Sequence, residues 1–274
     1  MIQQKTMAFL GGGNMAEAMI RGLLGKGLAD STRLIAADPV PERRELLRER
    51  YHIRTTADNR EAAQQAEIVV LSVKPQVIAG VLPEIRGALR ENAMVLSIVA
   101  GVPLRALSEP LQHAHIIRVM PNTPALIGEG MSVWMAAAGV SEDHKSQARL
   151  ILQALGDEIE VQDERYLDMA TALSGSGPAY VFLFLEALID AGVHMGFSRD
   201  VAQKLVLQTV QGSIAYLKQS GRHPVELRNM VTSPGGTTAE GIYQLEKGGL
   251  RTAVAEAVWA AYKKSRHLGG TDDQ

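Results

Sequence analysis

The chain has 274 residues, of which 46% are hydrophobic and 21% charged, a composition that predicts ordinary folding and a length that suits two domains. Its formal net charge of −2 argues against nucleic-acid binding, and its lack of cysteine excludes disulfides, thiolate metal ligands and a cysteine nucleophile. It has neither an uninterrupted apolar run of about 18 residues nor a basic and apolar leader, so we expect a cytoplasmic protein with no membrane segment.

The first part of the chain alternates short apolar runs with helical stretches. Strands are predicted at residues 7–10, 34–37, 68–73, 94–98, 116–119 and 131–135. Helices are predicted to begin near Asn14, Pro41, Asn59, Pro75 and Pro103. This alternation predicts an α/β domain over residues 1–162 with a parallel, doubly wound, Rossmann-like sheet.

A glycine-rich loop follows the first predicted strand and opens the first predicted helix. It consists of Gly11, Gly12, Gly13, Asn14, Met15 and Ala16. This pattern is typical of a dinucleotide-binding loop, with Gly11 for the tight turn, Gly13 for close approach of the pyrophosphate and Ala16 for helix packing. Asp38 ends the next apolar run, about 20 residues further on, where a ribose ligand is expected.

Two more predicted strand ends point to the same crevice. The candidate cofactor-binding residues there are Ser72, Val73, Lys74, Pro75, Val99, Ala100 and Gly101. Asn59 begins a helix and is either a ligand of the adenine or ribose or a plain N-cap. Lys74 either meets the cofactor or is an ordinary solvated lysine.

From Asp163 the alternation stops and helical runs follow one another, which predicts an all-helical domain over residues 163–268 and a flexible tail at 269–274. The segment 180–189 is apolar on nearly every face but too short to span a bilayer. It is either the central helix of a bundle or, as we prefer, part of an interface between two copies of the chain.

Ser233, Pro234, Gly235, Gly236, Thr237 and Thr238 precede another helical run. Two glycines allow the backbone amides to converge, the threonines offer hydroxyls, and a helix start carries partial positive charge. The loop therefore suits a carboxylate or a phosphate, although the same residue types are also common in ordinary turns.

Five motifs together carry a family resemblance, at residues 9–16, 73–76, 118–124, 173–180 and 231–238. Through them the chain resembles the pyrroline-5-carboxylate reductases, the last enzymes of proline synthesis. The resemblance implies NAD(P)H-dependent reduction of a cyclic imine, a helical domain intertwined with that of a second subunit, and dimers or decamers.

The resemblance also implies roles for particular residues. Thr238 would contact the ring nitrogen of the imine as the catalytic group. The substrate carboxylate would be held in the bend at Gly235 by the amides of Gly236 and Thr237 and the hydroxyls of Ser233 and Thr237. Ser174 and Ser176 would lie near the substrate, or would serve only close helix packing.

The choice of nicotinamide cofactor rests on opposing signals. Asp38 favours NADH because its carboxylate repels a 2′-phosphate, whereas Arg43 and Arg44 are close enough in sequence to bind one. We expect NADPH to be used, with NADH also accepted. Family members often have asparagine directly before the valine at the position of Val231, where this chain has Met230.

Other functions compete with this interpretation. A hydroxy-acid dehydrogenase would share the two-domain plan but would place a catalytic lysine on the long apolar helix, which has none. A non-catalytic nucleotide sensor would need no second anion loop. His113 and His115 share one face of a strand without a third ligand at metal spacing, so no metal site is expected.

Overall fold

A computed structural model describes residues 2–270 of the chain. Two compact units are present. One contains the described residues up to Ser176 together with those from Ala261 onward, and the other contains Gly177–Ala260.

The first unit is built on one sheet in the order β3-β2-β1-β4-β5-β6-β7-β8. Its strands are β1 (Met7–Leu10), β2 (Leu34–Ala37), β3 (Arg54–Thr56), β4 (Ile68–Leu71), β5 (Met94–Ser97), β6 (Ile116–Met120), β7 (Gly130–Ala136) and β8 (Gly156–Glu160). In β1 the register pairs Met7 with Leu34 on one side and with Ile68 on the other, and both pairings are parallel. The predicted doubly wound, Rossmann-like fold class is confirmed.

Helices cover both faces of this sheet. Those of the first unit are α1 (Asn14–Gly25), α2 (Pro41–Tyr51), α3 (Asn59–Gln65), α4 (Ile78–Ile85), α5 (Leu104–Leu111), α6 (Glu142–Gln153) and α7 (Arg165–Ala170). Met7 and Phe9 point into one hydrophobic cluster and Ala8 and Leu10 into another. A strand buried on both faces in this way favours a continuous apolar run, which is the pattern that residues 7–10 show.

One strand pairing differs from the parallel sheet that the sequence predicts. β7 runs antiparallel to β6, while every other pair of neighbours in the described sheet is parallel. Residues 121–129, which join the two strands, contain only the short 3₁₀ turn Thr123–Ile127. A parallel connection needs a crossover of about a dozen residues or more, so this link can only return the chain antiparallel.

The units divide at residues 176 and 177, whereas the sequence places a domain boundary between 162 and 163. The difference arises because α7 packs on the sheet, where Leu167 and Ala170 join Val133 in a buried cluster. In the predicted tail, the Gly269 and Gly270 amides donate to carbonyls of the preceding helix, and residues 271–274 lie outside the described part of the chain.

The second unit is helical throughout. It contains α8 (Gly177–His194), α9 (Arg199–Ser220), α10 (Pro224–Met230), α11 (Thr237–Lys247) and the first part of α12 (Leu250–Leu268). On α8, Phe182 and Leu183 are 64% and 67% exposed in the single chain. Exposed apolar surface of this kind is typical of an interaction site.

Within residues 2–270, the helical run Arg165–His194 is long and apolar enough to cross a membrane, judged by length and composition only. The argument from the sequence that its apolar segment is too short therefore fails. The run is longer than expected because a π-helical turn at Thr171–Gly175 continues the helix from α7 into α8.

Candidate functional site

The loops predicted to bind a dinucleotide follow β1, β2, β4 and β5, whose carboxyl ends lie along one edge of the sheet. β1 lies between β2 and β4, and the helices that follow β1 and β4 pack in different hydrophobic clusters. Strand order reverses at that point, which opens a crevice where ligands bind in folds of this kind.

Each glycine of the first loop is placed differently. Gly11 has φ of +94°, and a Cβ there would lie 2.7 Å from the Ser72 carbonyl oxygen, so only glycine fits. A Cβ on Gly13 would meet no protein atom within 4 Å. Gly13 is the N-cap of α1 and provides no side-chain hydrogen bond to the first amides of that helix. Those amides remain available to an anion.

The other residues of this loop complete the arrangement. Ala16 is fully buried in the core, which fits the expected contact between helix and sheet. Met15 packs partly buried against the same core, and Asn14 is exposed. The Gly12 amide donates to Asp38 Oδ2 at 2.8 Å, which ties the ends of β1 and β2 together.

Asp38 is engaged within the protein through both carboxylate oxygens, since Oδ1 accepts from the Val40 amide at 2.9 Å. The guanidinium of Arg44 donates to the Asp38 and Pro39 carbonyls at 2.7 and 3.0 Å. Arg44 thus braces the turn after β2, a role that the sequence does not reveal.

Arg43 donates to the Gly12 carbonyl and pairs with Glu17. Glu17 also accepts from Arg50 and from the Tyr51 hydroxyl, each at 2.8 Å. Burial raises the pKa of Glu17, but the hydrogen bonds from these three groups outweigh it and hold the pKa below its usual range. The carboxylate therefore stays charged and keeps Arg43 against the glycine loop.

Ser72 joins the loop after β4 to the glycine loop, because its hydroxyl donates to the Gly11 carbonyl at 2.7 Å. Val73 lies beside Gly11, whereas Lys74 and Pro75 are exposed at the start of the turn before α4. Asn59 is not an N-cap, since Asp58 caps α3. The side-chain amide of Asn59 donates to the Glu84 carboxylate at 2.7 Å.

The loop after β5 contains Val99, Ala100 and Gly101. Val99 is buried, and Gly101 has φ of +72°. A Cβ on Gly101 would lie 3.5 Å from Leu268 Cβ, so the end of α12 lies beside this loop.

Ser174 and Ser176 lie at the end of the π-helical turn. The Ser174 hydroxyl donates to the Ala170 carbonyl at 3.0 Å, and the Ser176 amide donates to the Thr171 carbonyl at 2.8 Å. Asn122 donates to the Ser174 carbonyl at 3.2 Å. A turn of this kind is frequent at functional sites.

The second anion loop belongs to the helical unit. Gly235 has φ of +68°, and Gly236 is the N-cap of α11. The Gly236 amide donates to the Ser233 carbonyl at 3.0 Å, so this amide closes the turn instead of facing a carboxylate as predicted. The amides of Thr237 and Thr238 open α11, where no intrahelical acceptor exists.

Three imidazoles lie together at the amino end of β6. The ring centroids of His113 and His115 are 5.4 Å apart, and those of His115 and His144 are 5.2 Å apart. Burial lowers the pKa of His144, and His115 and Lys5 lower it further, while Asp143 and a hydrogen bond with the Asn92 backbone act in the opposite direction. Within residues 2–270, no three His, Cys, Asp or Glu side chains are arranged to hold a metal ion.

Sequence analysis missed a buried ion-pair network. Arg118 donates to Glu164 at 2.7 Å, and its side chain is only 6% exposed. The available signal was a charged residue inside the apolar strand β6.

Comparison with known proteins gives the following matches. A family model described as pyrroline-5-carboxylate reductase dimerisation matches residues 164–268, and one described as coenzyme F420-dependent NADP oxidoreductase matches residues 6–101. A pyrroline-5-carboxylate reductase from Synechocystis is 43% identical over 96% of this chain and 98% of the relative.

Two solved structures are similar over nearly the whole chain. A pyrroline carboxylate reductase from Plasmodium falciparum with NADP bound has a TM-score of 0.89 and 35% identity, covering 98% of this chain and 100% of that one. A pyrroline-5-carboxylate reductase from Coxiella burnetii has a TM-score of 0.90 and 36% identity, covering 97% and 99%.

Proposed function

Because the chain belongs to the pyrroline-5-carboxylate reductase family, we propose that it reduces the cyclic imine 1-pyrroline-5-carboxylate to L-proline with a reduced nicotinamide cofactor. One observation supports this most strongly. A single chain has two glycine loops that each lead into a helix without a side-chain N-cap, at the start of α1 and at the start of α11. One suits the pyrophosphate of a dinucleotide and the other the carboxylate of the imine.

The glycine loop fits the dinucleotide. The uncapped amides at Asn14, Met15 and Ala16 would hold the pyrophosphate, and the open side of Gly13 allows the backbone to come close to it. When bound, the reduced nicotinamide supplies a hydride. The remaining predicted cofactor contacts are Gly11, Gly12, Asp38, Asn59, Ser72, Val73, Lys74, Pro75, Val99, Ala100 and Gly101.

The second loop would bind and orient the imine. The amides that open α11 and the hydroxyls of Ser233 and Thr237 hold its carboxylate, while Gly235 and Gly236 shape the bend. The Thr238 hydroxyl contacts the ring nitrogen. Since such an imine is protonated near neutral pH, it is already electrophilic, and the protein's contribution is mainly positioning. Ser174 and Ser176 shape the substrate site, and the Ser174 hydroxyl keeps a lone pair to accept a bond.

We assign NADPH as the principal cofactor, with NADH also accepted. The NADP oxidoreductase model over residues 6–101 and the NADP bound to the Plasmodium relative support this assignment. The carboxylate of Asp38 opposes NADPH, because it would repel the 2′-phosphate. Arg44 already donates to the carbonyls of Asp38 and Pro39. Arg43 is engaged as well, with the Gly12 carbonyl and Glu17, but it lies beside the glycine loop and is the cation that we expect a 2′-phosphate to meet.

The exposed apolar side chains of α8 would pack against a second copy of the chain, in a dimer or a higher oligomer. The match of the dimerisation model to residues 164–268 supports a protein partner over a lipid one. The molar mass from light scattering tests this assignment. We place the enzyme in the cytoplasm.

The decisive experiment mixes the purified full-length chain with NADPH and the cyclic imine and follows the loss of nicotinamide absorbance. Proline must accumulate in step with cofactor oxidation, and omission of the imine provides the control. Cofactor binding without imine reduction would favour a nucleotide sensor. Oxidation of a small hydroxy acid with no imine reduction would favour the dehydrogenase.

A further inference from the structure

A network of buried charges lies behind the loop that follows β5. The Arg118 guanidinium donates to Glu164 Oε1 at 2.7 Å and lies 3.8 Å from Asp168 Oδ1. Asp168 accepts from the Ser265 hydroxyl at 2.8 Å, and both of these residues are buried. A buried charge is strongly destabilising unless an opposite charge or a hydrogen-bonding group is paired with it.

The network holds the beginning of α5. Glu164 Oε1 also accepts the amide of Leu104, the first residue of that helix, at 2.7 Å. The N-cap of α5 is Pro103, which offers no side-chain acceptor, so Glu164 replaces the missing cap from a distant part of the chain.

The network also reaches the other side of the cofactor loop. Ser265 lies on α12 one turn before Leu268, beside which Gly101 packs. The loop 99–101 is therefore held between two elements, the start of α5 and the end of α12, and both are tied to Arg118 through carboxylates.

We propose that Glu164 and Arg118 are positioning residues for the nicotinamide cofactor. They fix the loop 99–101 at the carboxyl end of β5, which belongs to the second mononucleotide-binding half of a doubly wound sheet. The proposal rests on the proposed function, in which this loop contacts the cofactor. Glu164 acts through the Leu104 amide and does not touch the cofactor itself.

Glu164 is the better residue to change. Its side chain is 31% exposed, whereas that of Arg118 is only 6% exposed. A cavity of about 430 Å³ is lined by Arg118, Glu164 and Asp168, so water can solvate the remaining charges when Glu164 is shortened. Glu164→Ala should therefore fold with a loosened loop.

The test measures the dissociation constants of NADPH and NADH for the full-length protein by fluorescence titration, together with kcat and KM. Glu164→Ala should raise both dissociation constants about tenfold, because the charge-assisted hydrogen bond to the Leu104 amide that holds the start of α5 is lost, with kcat at saturating cofactor within about twofold. Glu164→Gln keeps an oxygen that accepts from Leu104 and Arg118, so it should restore most of the affinity.

Arg149→Met is the matched control. Arg149 also contacts two carboxylates, Glu160 at 3.1 Å and Glu158 at 3.5 Å, but these belong to β8 and not to the cofactor loop. It should lower the melting temperature and leave cofactor affinity unchanged. Wild-type affinity in Glu164→Ala, or equal losses in the Ala and Gln variants, would overturn the proposal. Imine reduction by the wild-type enzyme tests the proposed function separately.

Discussion

Gly13→Ala separates the requirements of the fold from those of the cofactor. Gly13 has φ of −65° and ψ of −177°, a conformation that alanine adopts without strain, and an added Cβ would meet no protein atom within 4 Å. Loss of chain entropy in the unfolded state favours the variant by about 0.4–1 kcal/mol, and alanine's weakness as an N-cap offsets this. The free energy of unfolding should change by less than about 1 kcal/mol.

Cofactor binding should respond differently. If the pyrophosphate approaches Gly13 closely, the new methyl group must displace it, at the cost of about 1–3 kcal/mol typical of overpacking. That cost corresponds to a rise of about 5- to 150-fold in the NADPH dissociation constant.

Fluorescence titration measures the affinity and urea denaturation the stability. Gly11→Ala provides the contrast, because Gly11 has a positive φ and an added Cβ would lie 2.7 Å from the Ser72 carbonyl oxygen, so both stability and NADPH affinity should fall. Gly25→Ala, within α1 and also in open space, should leave affinity unchanged. Wild-type NADPH affinity in Gly13→Ala would refute the placement of the pyrophosphate.

Three further predictions concern chemistry, cofactor choice and pH. Thr238→Ala should lower kcat/KM by about 5- to 150-fold, the value of one hydrogen bond of about 1–3 kcal/mol, with NADPH affinity kept; unchanged kinetics would remove Thr238 from the mechanism. Asp38→Ser should raise the ratio of kcat/KM for NADPH over NADH about tenfold or more, and a constant ratio would show that the carboxylate does not face the ribose. Burial lowers the pKa of His144 in the folded state. Below about pH 6.5 the unfolded state therefore binds more protons than the folded state. The free energy of unfolding should then fall as the pH drops from about 7 to 5.5. Denaturation across that range should show a flatter profile for His144→Gln, and equal slopes would contradict this account.

The sequence determined the features that depend on neighbouring residues. The bounds of β1 and β2 follow from four-residue apolar runs, since a strand buried on both faces favours apolar residues at every position. The starts of α1, α2 and α3 follow from residues that suit a helix N-terminus. Both glycine loops were recognised because positive φ and close backbone approach restrict the residue type.

The edge strands were decided by tertiary structure. β3 has three residues, none of them fully buried, and β8 contains three acidic residues, which strands disfavour. Neither segment has a local pattern that predicts a strand. Each is a strand because a neighbouring strand offers its unpaired backbone groups. Two of the acidic side chains of β8, Glu158 and Glu160, also pair with basic side chains of α6.

The same distinction applies at the site. Local sequence identified Asp38 and Arg44 as candidate ribose and phosphate ligands, but only the folded chain shows that Arg44 braces the turn. Arg118 and Glu164 are 46 residues apart, and no sequence pattern couples them. Residue types and their spacing indicate which side chains are buried and where the backbone turns. The partner of a buried charge depends instead on which distant segments the fold brings into contact.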